Sequence, residues 1–88
     1  MSLPEYTEIP AISGKQLIRL LKKDGWEALR KAKHGIALSK SFGDRKRVTV
    51  IPDSRAPLPD GTLSAILGVK QTGLGRAELL NLINKHGL

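Results

Sequence analysis

The 88-residue chain contains no cysteine. Disulfides, thiolate metal ligands and cysteine nucleophiles are excluded together. Its two histidines, His34 and His86, stand far apart in sequence, so a protein-built zinc site is not expected, and no cofactor is expected either. Aromatic residues are scarce: Tyr6, Trp26 and Phe42 are the only ones. No apolar run approaches the roughly 18 residues that cross a bilayer. The N-terminus lacks the basic-then-apolar pattern of a secretory signal, and a cytoplasmic protein is the expectation. A chain this short holds one core and folds by burying roughly 60–65 % of its unfolded surface. A separate cofactor domain has no room.

Acidic charge is also in short supply. Fifteen Lys and Arg stand against eight Asp and Glu, for a net charge of +7. The excess is local. Residues 15–47 hold eleven basic groups against Asp24, Glu27 and Asp44, whereas residues 1–14 are acidic and residues 48–88 nearly balanced. A solubilising surface scatters its charge, so this concentration points to a polyanionic partner.

What is present reads in order along the chain. Residues 1–11 carry two prolines and little periodicity, which predicts a loosely held arm before a single domain over 12–88. Ser13 and Gln16 make a capping box, Ile12 and Leu17 a hydrophobic staple, and Gly25 a C-terminal stop. On the helix between them, Lys15, Arg19, Lys22 and Lys23 share one sector opposite the leucines. A solvated face is the plain reading of such a stripe. A phosphate-facing one gains weight because no acid interrupts it. Three strands follow, over Trp26–Lys31, His34–Lys40 and Arg47–Ile51, with a hairpin loop at Phe42–Arg45. Connections this short demand an antiparallel meander. Pro52 to Pro59 is a loop, a second helix begins near Leu58–Thr62 and stops at Gly68, and a third runs from about Arg76 to His86. The fold class is therefore α+β: a three-stranded antiparallel sheet covered on one face by helices. The α-β-β-β-α order is the architecture of double-stranded-RNA-binding domains, to which this chain adds an extra C-terminal helix.

At these residues the chain resembles a known family, the HicA-type toxins. The resemblance covers about residues 11–84. It is carried by Ser13-Gly14-Lys15-Gln16-Leu17-Ile18 with Leu21, by Gly25-Trp26, and by Arg30, His34 and Arg47-Val48-Thr49-Val50. Leu58-Pro59-Asp60-Gly61-Thr62-Leu63 with Ile66-Leu67, then Gly73-Leu74 and Glu78-Leu79, complete it. The resemblance implies an mRNA interferase of a type II toxin–antitoxin system, with a HicB-type antitoxin protein as partner and mRNA as substrate. It also implies that His34 is the active residue. The family's Gly-Ser-His element reads Ala32-Lys33-His34 here, and its second histidine after the third strand is replaced by the Pro52-Asp53-Ser54 segment.

Imidazole suits that role. It exchanges protons near neutral pH, and RNA cleavage needs no metal if one group takes the 2′-OH proton and another protonates the leaving oxygen. Lys31, Lys33, Arg45, Lys46 and Arg47 are the cations near His34 in the order of the chain, and a lysine or a water would be the partner acid. Strand alternation alone gives His34 a plainer place, beside Ile36 and Leu38 on the core face. His86 with Gly87 reads as a helix end, and Trp26 as a core anchor. The competing function is a non-catalytic RNA-binding module of the same fold, which would hold the RNA backbone and leave it intact.

Overall fold

In a computed structural model, which describes residues 6–87, the capping box at Ser13 forms as its residues dictate. Gln16 N donates to Ser13 Oγ at 3.1 Å, and Ser13 N donates to Gln16 Oε1 at 2.9 Å. Helix α1 (Gly14–Lys23) then buries Leu17, Ile18, Leu20 and Leu21. It closes with two backbone bonds, from Gly25 N to Lys22 O and from Trp26 N to Leu21 O. Gly25 sits at φ 98°, the left-handed conformation this closure requires. The turn drives Trp26 into the core, where it is 2 % exposed. Ser13→Ala should cost about 1 kcal/mol by removing one arm of the box. Thermal unfolding followed by circular dichroism would show this as a fall of about 4–8 °C.

The sheet comprises β1 (Glu27–Ala32), β2 (Gly35–Phe42) and β3 (Arg45–Ile51), antiparallel and in that order. Ala28, Leu38 and Thr49 form one cross-strand row, and Lys31, Ile36 and Ile51 another. Both rows face the helices, and Leu38 and Ile51 are fully buried. The alternate rows put Val48 and Val50 on the open face. Beyond Pro59, α2 (Asp60–Leu67) and α3 (Gly75–His86) lay Leu63, Ile66, Leu67, Leu79, Leu82 and Ile83 into the same cluster as the leucines of α1. One core therefore lies between one sheet face and three helices. This is the α+β arrangement expected from the sequence.

Two boundaries differ from the sequence reading. Pairing between β1 and β2 begins at Ala32 and Gly35, so Lys33 and His34 form the turn and His34 is not a strand residue. The hairpin into β3 is tighter than expected, with Phe42 paired to Arg45 across Gly43-Asp44. Gly43, at φ 66°, supplies the positive φ that a two-residue turn needs at its first central position. Of the N-terminal segment, residues 1–5 lie outside the described residues. Tyr6 N donates to Asn84 Oδ1 at 2.7 Å, Asn84 Nδ2 donates to Tyr6 O at 3.0 Å, and Tyr6 and Ile9 pack on the core. Among the described residues, no helix is long and apolar enough to cross a membrane.

Candidate functional site

Three pieces of chain meet where His34 emerges. A Cβ on Gly14 would overlap the carbonyl of Pro52, and a Cβ on Gly35 would overlap that of Ile51. Both glycines therefore permit backbone approaches that no other residue allows. Lys15 N donates to Ser54 O at 3.1 Å and Leu58 N to Ile12 O at 2.8 Å, which pins the start of α1 to the loop after β3. The β1–β2 turn rests against the end of β3 through Gly35. His34 stands exposed on this turn, on the rim of two clefts. One, of about 640 Å³, is walled by Val50, Pro52, Ala65 and Ile66. The other, of about 390 Å³, is shared with Lys31, Lys33 and Asp53.

Charge at this end of the sheet is organised around Asp53. Lys15 Nζ donates to Asp53 Oδ1 at 2.8 Å. That hydrogen bond holds the Asp53 carboxyl below the usual carboxylate range against the opposing effect of desolvation, and the charges of Lys15 and Lys31 add to it. A depressed carboxylate contributes stability above its unfolded value of about 3.9 and loses it as pH falls through the lower folded value. The pair is solvent-exposed, so the effect on the melting temperature is small. An NMR titration of the Asp53 carboxyl should show the depressed midpoint, and Lys15→Met should return it toward the ordinary value.

The structure brings Lys15, Lys31, Lys33 and His34 to one end of the sheet and leaves the other cations elsewhere. Arg45 and Lys46 lie at the β2–β3 hairpin, the opposite end of a seven-residue strand and about 20 Å away. Successive turns of a meander fall at opposite ends, so cations adjacent in sequence part company around His34. Arg47 is engaged internally: Nη1 donates to Val69 O at 2.7 Å and Gln71 O at 3.2 Å, tying β3 to the α2–α3 loop. Arg19, Lys22 and Lys23 form an exposed stripe along α1. Lys40 is held by Asp24 Oδ2 at 3.3 Å and Asp24 O at 2.7 Å. His86 lies in the last turn of α3, ahead of Gly87 at φ 78°.

Sequence reasoning passed over Asp53, Thr62 and Gln71, all of which line the clefts beside His34. The Pro52-Asp53 step directly after a strand was a usable signal for Asp53. Gln71 had none, because a loop brings it to β3. Among the described residues, no three His, Asp or Glu side chains converge to hold a metal ion.

The family model described as the HicA toxin of bacterial toxin–antitoxin pairs matches residues 14–74, which span α1, the whole sheet and α2. No curated protein and no solved structure matches the chain. With well over half of its length matched, and with three helices on one face of an antiparallel sheet, the chain belongs to the HicA toxin family, the toxins of bacterial toxin–antitoxin pairs.

Proposed function

We propose that the protein is a metal-independent endoribonuclease that cleaves mRNA in the cytoplasm, with His34 as its general acid–base group, and that a HicB-type antitoxin protein holds it inactive. The observation that carries the reading is the position of His34. It is exposed on the rim of two clefts, with Lys31 and Lys33 beside it and Lys15 across the smaller cleft at Asp53.

In this reaction a ribose 2′-oxygen attacks the adjacent phosphorus and the P–O5′ bond breaks. The imidazole of His34 takes the 2′-OH proton, and an ammonium or a water delivers a proton to the leaving 5′-oxygen. The products are a 2′,3′-cyclic phosphate and a 5′-hydroxyl. Lys31 and Lys33 offset charge gathering on the non-bridging oxygens of the transition state. Lys15, Arg19, Lys22 and Lys23 carry the incoming backbone along α1, and Arg45 and Lys46 offer a second phosphate contact at the far hairpin. Arg47 contributes by holding the α2–α3 loop in place rather than by touching phosphate.

The test is physiological. Induced expression in a bacterial host should arrest growth, and His34→Ala should relieve the arrest at equal protein level. Co-expression of a HicB-type antitoxin should restore growth to cells making the wild-type protein. Arrest that persists undiminished in the His34 variant would remove the imidazole from the activity and favour the binding-module reading.

A further inference from the structure

The larger cleft beside His34 has a chemistry that the nuclease reading does not use. Its lining is mainly apolar, from Pro52, Ala65 and Ile66 beside the β3 edge at Val50, and its polar groups are few: the Thr62 hydroxyl, the Gln71 amide and the rim residues Lys33 and His34. At about 640 Å³ it falls within the range of about 300–1,000 Å³ usual for small-molecule sites. An apolar hollow with one or two oriented polar groups is poorly matched to a phosphate. It is well matched to a flat heterocycle, which needs apolar contact on its faces and hydrogen bonds at its edge.

Gln71 is the oriented group. The buried Thr49 hydroxyl donates to Gln71 Oε1 at 2.6 Å, and the Gln71 carbonyl accepts from Arg47 Nη1 at 3.2 Å. With backbone and amide oxygen both held, the side chain has one orientation. The Thr49 hydroxyl takes one of the two lone pairs of Oε1, and the Nε2 hydrogens, which no side-chain hydrogen bond of the described residues takes, remain as donors for a ligand. At pyrimidine C4 and purine C6, uracil and guanine carry a keto oxygen whereas cytosine and adenine carry an amino group, so a fixed N–H donor at that edge distinguishes the two pairs.

We propose that this cleft seats one unstacked nucleobase of single-stranded RNA beside the scissile phosphate, and that Gln71 selects keto-bearing bases, uracil and guanine. The proposal rests on the nuclease reading only in placing the phosphate at His34. It makes the substrate a single strand, since a paired base cannot leave its stack to enter a cleft without the cost of unpairing.

The experiment is a binding measurement, so it does not depend on cleavage. The ¹⁵N-labelled wild-type protein is titrated with 3′-UMP, 3′-GMP, 3′-AMP and 3′-CMP. The backbone amides of Thr62, Ala65 and Gln71 should shift, with the keto nucleotides bound about five- to tenfold more tightly than the amino ones. Gln71→Glu keeps the acceptor for Thr49 and replaces the donor with a second acceptor, so the preference should reverse. Ala65→Leu, on an exposed and helix-compatible position, fills the cleft and should weaken all four at least tenfold. Equal affinity for the four nucleotides, or shifts confined to α1 and the hairpin, would overturn the proposal. So would cleft amides that respond only to the antitoxin, which would assign the cleft to a protein side chain. Failure of the nuclease reading gives a different pattern: base-selective binding at the cleft with RNA left uncut.

Discussion

Gly35→Ala is expected to lower the melting temperature by about 10–20 °C. The added carbon would overlap the carbonyl oxygen and carbon of Ile51 and crowd Pro52 Cα. These are backbone atoms at the end of a fully buried strand position, and no rotamer change relieves the overlap. The β1–β2 turn must lift off β3 or β3 must shift, and either movement displaces His34. Gly43→Ala is the matched control, because its Cβ meets nothing within 4 Å and only the positive φ of 66° opposes it. That cost is about 1 kcal/mol, or about 4–8 °C. Thermal denaturation of the two variants side by side separates overlap from backbone strain. Equal losses would show that the close approach at Ile51 is not what positions the turn.

His34→Ala should give the opposite profile: little change in stability and a large loss of rate. The side chain is exposed at the turn and takes no part in the core, so its removal should alter stability by no more than about 0.5 kcal/mol. Removing a general acid–base group costs about 10²–10⁴-fold in rate. RNA affinity should remain within about twofold, because the exposed lysines and arginines supply it, and it should fall steeply with salt in both proteins. Anisotropy of a labelled RNA measures affinity, and single-turnover cleavage measures rate. A variant that loses affinity and rate together would make His34 a binding contact rather than a proton carrier.

The scaffold was legible because its signals are local. Ser13 with Gln16, Gly25 as helix stop and the leucine faces of three helices each act within one or two turns of chain, and each is present in the structure. The cationic site was legible only in part. Lys31, Lys33 and His34 are neighbours in sequence and remain so, and Lys15 joins them because Gly14 lets Pro52 approach α1. Arg45 and Lys46 follow in the same charge run yet lie at the other end of the sheet, as meander topology requires. Arg47 looked like a phosphate contact, but it bonds carbonyls 22 and 24 residues away. Asp53 and Gln71 acquire their places through contacts with Lys15 and Thr49, separated by 38 and 22 residues. Such contacts leave no periodicity or spacing in the sequence to read.

The most direct test of the account is the chemistry of the RNA ends. A single-stranded RNA is incubated with purified wild-type protein in excess EDTA, and the fragments are assigned by mass. Fragments ending in a 2′,3′-cyclic phosphate and beginning with a 5′-hydroxyl are expected, with the RNA intact in the parallel His34→Ala reaction. Fragments with 5′-phosphate ends, cleavage that stops in EDTA, or equal cleavage by the variant would contradict it.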